Sequence, residues 1–210
     1  MARWLLMPLI LLSAGLHLHA EYRGPRWRIY LFKPLTTLLI LGVALAGSNS
    51  PAMPYALWIV AGLVCSLAGD VWLMLSQDRF VAGLASFLLA HLCYLVALVR
   101  DAQPLAFPWL LLPLAIYGVA LGHFLWPHLG KMRWAVLLYE VVILAMAWRA
   151  WERTLQMDSF GALLAAIGAL LFVLSDSALA VNRFARRFHA AQLVVLGSYY
   201  LAQWLIALSV

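Results

Sequence analysis

Eight apolar runs divide the chain, at 4–18, 29–47, 55–75, 80–99, 105–126, 132–148, 159–181 and 189–209. Within them hydrophobic residues are continuous rather than alternating, which predicts helices and not the strands of a barrel. A helix needs about 20 apolar residues to cross a bilayer. All the runs but the first approach that length. The first is short and interrupted by Pro8, and with its basic start it also has the outline of a secretory leader. His17 and His19 crowd the would-be cleavage site, so a first membrane helix is the preferred reading. The connecting segments are short and no soluble domain is visible. Residues 1–210 therefore read as a single all-α domain, a polytopic bundle of eight transmembrane helices.

Composition agrees. The chain is 66% hydrophobic and 10% charged, with a mean hydropathy of +0.95. Soluble domains sit near half apolar and a quarter charged. The net charge of +6 does not point to nucleic acid, because the basic residues lie between apolar runs, where topology signals and headgroup contacts belong. Arg3, Arg100, Arg149 and Arg153 fall in segments on one side of the membrane. Arg23, Arg26, Arg28, Arg79, Lys131, Arg133, Arg183, Arg186 and Arg187 fall on the other, and Lys33 lies inside the second run. Excess positive charge marks the cytoplasmic side, so both termini are expected outside the cytoplasm. An Ala-, Leu- and Arg-rich composition without an organelle signal suggests a bacterial inner membrane. Cys65 and Cys93 both sit within apolar runs, which argues against a disulfide framework or a CxxC metal site.

The candidate chemistry lies in the polar residues that interrupt these runs. Asp70, in SLAGDVWLML, and Asp176, in LFVLSDSALA, are carboxylates at similar depth from the cytoplasmic ends of the third and seventh runs. An aspartate near a helix centre costs about 2.5–3.5 kcal/mol, so each is expected to meet a partner or water. Lys33 enters from the same side. His91, Tyr94, Tyr139, Glu140, Ser198, Tyr199, Tyr200 and Gln203 lie near the midplane, and the outer halves of the helices look nearly free of ionisable groups. Polarity confined to one leaflet predicts a cavity open on that side. Helical spacing places Ser66 on the face of Asp70, His91 near Tyr94, and Thr36 and Thr37 over Lys33. Glycines such as Gly62, Gly83 and Gly168 suit close helix packing, and Trp109, Trp126 and Trp134 suit interfacial anchoring. A shift of 106 carries Asp70 to Asp176, Tyr94 to Tyr200 and Lys33 to Tyr139, which hints at two parallel four-helix repeats.

The order of motifs, KPLTT at 33–37, GDVWLML, FLLAHLCYLVA at 87–97, Tyr139 with MAWRAW, GALLFVLSDSALAVNRF and YYLAQWLIAL, resembles the YhhN-like lysoplasmalogenase family of multi-pass membrane hydrolases. The resemblance implies eight helices and hydrolysis of the vinyl ether bond of 1-alkenyl lysophospholipids. The products would be a fatty aldehyde and glycerophosphoethanolamine or glycerophosphocholine. It gives Asp70 and Asp176 the catalytic role, and Lys33, His91, Tyr94, Tyr139, Ser175, Tyr200 and Gln203 a supporting one. Ser66 joins them by its helical register with Asp70. Glu140 stands outside the shared pattern.

That reaction suits the residues. A vinyl ether resists bases but yields to acid. Protonation at its β-carbon gives an oxocarbenium ion that water captures, much as paired carboxyls work in glycosidases. Two carboxyls in unequal surroundings can divide acid and base roles, and the sequence does not say which takes which. No metal or other cofactor is needed; His17 and His19, two apart on a helix, point to different faces. There is no GxSxG elbow, P-loop or dinucleotide signature. The implied partners are a lysophospholipid and the bilayer, not nucleic acid. The rival reading is a proton-coupled transporter using the same aspartates, which should carry polar residues through both leaflets.

Overall fold

The computed structural model describes residues 2–47, 53–75, 79–100 and 107–210. The segments expected to connect runs at 48–52, 76–78 and 101–106 lie outside the described residues. The helices are α1 (Ala2–Arg23), α2 (Arg26–Leu45), α3 (Met53–Met74), α4 (Phe80–Arg100), α5 (Leu111–Leu125), α6 (Arg133–Met157), α7 (Phe160–Ala180) and α8 (Ala191–Leu208). Eight helical stretches are long and apolar enough to cross a membrane, and no strand occurs among the described residues. The all-α polytopic class is as the apolar runs require.

Two boundaries differ from the sequence reading. α1 is neither short nor broken at Pro8; it runs through that proline to Arg23, where Gly24 and Pro25 stop it. Its inner face is Ile10, Ser13, His17 and Ala20, all buried. That spacing of three and four is one stripe of a helix. α6 extends past 148 to Met157, ends on Asp158 in the left-handed conformation (φ 41°), and hands over to α7 through Ser159. The Ser159 hydroxyl accepts a hydrogen bond from the Ala162 amide at 3.2 Å, an ordinary N-cap.

The extension of α6 overturns two expectations. Arg149 and Arg153 are not loop residues, and the half of the bundle expected to lie away from the cytoplasm is not free of charge. Arg149, Glu152 and Arg153 are helical and buried. Glu152 pairs with Arg149 and accepts the Phe107 amide at 3.0 Å. The Arg153 guanidinium lies over the Tyr55 ring at 4.4 Å, and Tyr55 shares a hydrogen bond of 2.7 Å with Ser209. In sequence, a run of polar residues after an apolar one looks the same whether it is wet or neutralised by distant partners.

The helices pack as a closed ring in the order α2–α3–α4–α6–α7–α8 and back to α2. α1 lies outside it against α2 and α8, and α5 lies outside against α6. The lipid-facing surface of α5 is correspondingly exposed, with Val119 at 74%. In residue number, a shift of 106 takes α2, α3 and α4 onto α6, α7 and α8.

Small residues let the ring close. A Cβ at Gly62 would overlap the ring of Tyr94 on α4, and one at Gly168 would lie 2.9 Å from the Ala202 carbonyl on α8. Gly62→Val is therefore expected to push α3 from α4 and cost about 1–3 kcal/mol. The check is a lower thermal midpoint of the purified protein in detergent; an unchanged midpoint would mean that this contact is not close.

Candidate active site

A cavity of about 750 Å³ opens at the ring end that carries the α1–α2 junction and the α7–α8 connection, and both Asp70 and Asp176 line it. Five helices deliver its polar floor. α2 brings Lys33, with Thr37 one turn on behind Asp70; α3 brings Asp70; α6 brings Tyr139; α7 brings Ser175 and Asp176. α8 adds Tyr199. The walls are apolar, with Leu73, Leu84, Phe87, Val136, Leu179 and Leu196.

The two carboxyls have different surroundings. Asp70 is 1% exposed. Its Oδ2 accepts from the Thr37 hydroxyl at 2.7 Å and the Tyr199 hydroxyl at 2.8 Å, while the Lys33 ammonium stands 3.7 Å from Oδ1. Asp176 is more open, its side chain 17% exposed. Its Oδ2 accepts from the Tyr139 hydroxyl at 2.5 Å, with His91 Nε2 at 3.8 Å. The shift of 106 that relates the aspartates also relates their neighbours, since Lys33 approaches Asp70 as Tyr139 approaches Asp176.

The other expected site residues divide. His91 lies behind Asp176 rather than in the cavity wall, boxed by edge-on contacts with Tyr139 and Phe172 at 5.3 and 5.0 Å between centroids. Ser66 does not serve Asp70 along the helix; its hydroxyl meets Tyr94 at 3.4 Å, and neither lines the cavity. Ser175 lines it, but its hydroxyl donates to the Val195 carbonyl at 3.0 Å. Gln203 is buried away from the cavity, and both its amide atoms lack a hydrogen-bond partner among the described residues. Tyr200 turns from Asp70 to His17, 2.8 Å from its Nδ1. Glu140 faces α5 across Gly118 and Gly122. The companionship expected within single helices is realised instead between helices, because side chains three or four apart on an inward face diverge toward different neighbours.

Four contributors were not among the expected site residues: Tyr199 and Thr37, noted only as polar residues of their helices, which donate to Asp70, and His17 and Glu21. Thr37 was legible as the residue one turn beyond Lys33. Tyr199 and Tyr200 are adjacent, so about 100° of helical rotation separates them, and only the packing decides which one reaches Asp70. Glu21 lines the cavity, and its Oε1 lies 3.3 Å from Nε2 of the buried His17, whereas His19 faces outward. Among the described residues no three His, Cys, Asp or Glu side chains converge as a metal-ligand group.

A helical ring enclosing two carboxyls in a one-ended cavity defines a polytopic membrane protein with an acidic intramembrane site. The chain belongs to the YhhN family, whose family model matches residues 28–210. It is 33% identical over 201 residues to the "Uncharacterized membrane protein YhhN" of Escherichia coli O157:H7, covering 95% of each chain. It is 37% identical over 183 residues to "Lysoplasmalogenase TMEM86B" of Homo sapiens, covering 87% of this chain and 75% of that one. With "Lysoplasmalogenase TMEM86A" of Homo sapiens it shares 34% over 193 residues, or 89% and 79% of the two chains. No solved structure matches the chain.

Proposed function

We propose that the protein is a lysoplasmalogenase that hydrolyses the vinyl ether of 1-alkenyl lysophospholipids, with Asp176 as the acid and Asp70 as the carboxylate. The observation that carries this reading is that both aspartates line one cavity with different partners. Names shared by relatives of similar length add support.

The roles follow from the neighbours. Asp70 has an ammonium beside one oxygen and two hydroxyl donors on the other, the surroundings of a group that holds negative charge. Asp176 has one hydroxyl donor on Oδ2, which leaves Oδ1 to carry a proton. That proton goes to the β-carbon of the vinyl ether, and the C=C electron pair forms the new C–H bond. The resulting oxocarbenium ion is stabilised by Asp70. Water adds to the carbon next to oxygen and gives up a proton to a carboxylate. The hemiacetal then loses its hydroxyl proton as the C–O bond to glycerol breaks and the glycerol oxygen is protonated. Substrate and one water become aldehyde and alcohol, and Asp176 ends reprotonated.

The cavity suits one alkenyl chain. Its volume of about 750 Å³ falls within the range of small-molecule sites. On α6 it reaches only Val136 and Tyr139. The buried Ile143, Leu144, Met146 and Ala147 separate it from the Arg149 cluster. A transporter needs a route between these two polar regions, so the apolar layer favours the hydrolase. With Arg149 and Arg153 withdrawn from the loops, the basic excess on the cavity side is larger still, and we place the mouth in the cytoplasm.

The direct experiment is incubation of purified protein with 1-alkenyl lysophosphoethanolamine and assay of fatty aldehyde. Aldehyde with equimolar glycerophosphoethanolamine is expected; none from a folded preparation would end the reading. Tyr199→Phe and Tyr139→Phe each remove a donor from one aspartate and are expected to lower kcat about tenfold or more, as loss of a hydrogen bond to a charged or reacting group does. Unchanged kcat in both would deny the tyrosines any part in setting the carboxyls.

A further inference from the structure

We propose that the mouth of the cavity is a zwitterion site: Arg183 and Arg187, with Arg26, take the substrate phosphate, and Glu21 takes the headgroup ammonium. The inference rests on the hydrolase reading and adds to it the residues that hold the two charges of the headgroup and so set its preference over a bare phosphate.

These four side chains line the same cavity as the aspartates, and their depth fits. Arg26 is one residue into α2 and Lys33 lies seven residues on; Arg183 lies seven residues beyond Asp176. At 1.5 Å per residue the belt of charge stands about 10 Å from the carboxyls. In the substrate, five bonds separate the vinyl ether oxygen from phosphorus and four more reach the nitrogen. With bonds of about 1.5 Å in staggered chains this puts the phosphate about 6 Å and the ammonium about 10 Å from the reacting bond. A lipid with its vinyl ether at the aspartates therefore has its ammonium at the depth of the belt and its phosphate about 4 Å short of it, a gap that the long arginine side chains can span.

The belt is built rather than incidental. α7 passes into a wide π turn at Val181–Ala185, closed by the Arg186 amide on the Val181 carbonyl at 2.8 Å. Such turns re-aim side chains and are common at functional sites. Here the turn sends Asn182, Arg183 and Phe184 into the cavity wall, with the Arg183 guanidinium 4.9 Å over the Phe80 ring. Glu21 is the cavity's one carboxylate besides the two aspartates among the described residues. Its Oε1 lies 3.3 Å from Nε2 of His17, whose Nδ1 is 2.8 Å from the Tyr200 hydroxyl, and Oε2 remains for a cation. A patch serving only to attract anionic lipid or to set topology gains nothing from a carboxylate fixed in its midst; a phosphate and an ammonium a few bonds apart need one charge of each sign. The arrangement also gives Tyr200 a role at a distance from Asp70, as the residue that positions the headgroup end through His17.

The test compares two substrates, 1-alkenyl glycerophosphoethanolamine and 1-alkenyl glycerophosphate, which lacks the ammonium. The protein is expected to show a KM about tenfold lower for the first, the scale of one charge-assisted hydrogen bond. Glu21→Gln should move the two KM values in opposite directions, raising that of the zwitterion and lowering that of the phosphate by relieving repulsion. Arg187→Gln should raise both. Equal shifts of both KM values in Glu21→Gln, or an undiminished preference, would overturn the proposal. A binding measurement separates this from the hydrolase reading. Calorimetric Kd values for the non-cleavable 1-O-alkyl analogues of both lipids, on protein in detergent, should show the same Glu21-dependent preference. If no aldehyde forms from any alkenyl lipid, the hydrolase reading fails while these Kd values still decide the headgroup site; if the Kd ratio ignores Glu21→Gln, the zwitterion site fails even where aldehyde forms.

Discussion

Asp70→Asn and Asp176→Asn are each expected to abolish aldehyde release, with losses of about 10²–10⁴-fold in kcat, the usual contribution of a positioned acid or base. Asparagine keeps the size of aspartate and its hydrogen-bonding oxygen. At position 70 the amide still accepts from Thr37 and Tyr199, so the helices keep their contacts, but it brings no negative charge to meet the oxocarbenium ion or the Lys33 ammonium. At position 176 the amide still accepts from Tyr139 but has no proton acidic enough to transfer to carbon. Because both carboxyls act on formation of the same oxocarbenium ion, the double variant should be little worse than either alone, as for groups that act as a unit. The measurement is single-turnover aldehyde release by protein whose elution and thermal midpoint match the parent. Turnover within tenfold of the parent in either folded variant would remove that aspartate from the chemistry.

The second large effect is on stability. Glu152→Gln is expected to cost about 3–5 kcal/mol, the usual consequence of breaking a buried ion pair from one side. Glu152 is fully buried between Arg149 and the Phe107 amide. Glutamine can still receive the amide, but its NH₂ then faces the guanidinium, and donor meets donor among buried side chains. The reading is the thermal midpoint in detergent, with kcat per folded molecule staying within about twofold because this cluster lies beyond the apolar layer that ends the cavity. Replacing Arg149, Glu152 and Arg153 together by Met should recover much of the loss, since apolar residues of similar volume often substitute for a buried charge group without penalty. A single variant as stable as the parent would show that the cluster is neutralised some other way.

How much of this was legible in the residues depends on range. The eight helices follow from apolar runs long enough to span a bilayer, and the boundaries erred only where polarity was ambiguous. At the end of α1, HLHAEYR looked like a loop and is a helix with one buried face. At the end of α6, two arginines looked like loop residues and are buried beside a glutamate. The candidate site was half legible. Asp70, Asp176, Lys33 and Tyr139 stand out because ionisable and hydroxyl groups in hydrocarbon need a reason. Thr37 and Tyr199 are legible as intramembrane hydroxyls but not as donors to Asp70, and His17 and Glu21 do not stand out, since each becomes part of the site only through a neighbour 33 to 183 residues away or through the cavity wall.

The sequence by itself determined that this chain lives in a membrane as a helical bundle, and which carboxyls had to find shelter there. Both conclusions are local sums: transfer free energies add residue by residue along a segment. Only the tertiary structure decided which hydroxyl serves which carboxyl, that His91 and Tyr200 stand behind the chamber, and that charge is also buried at the far end. Those outcomes depend on the rotation and closure of helices about one another. That is set by the fit of glycines under rings and of side chains between neighbours, which no single stretch of chain contains.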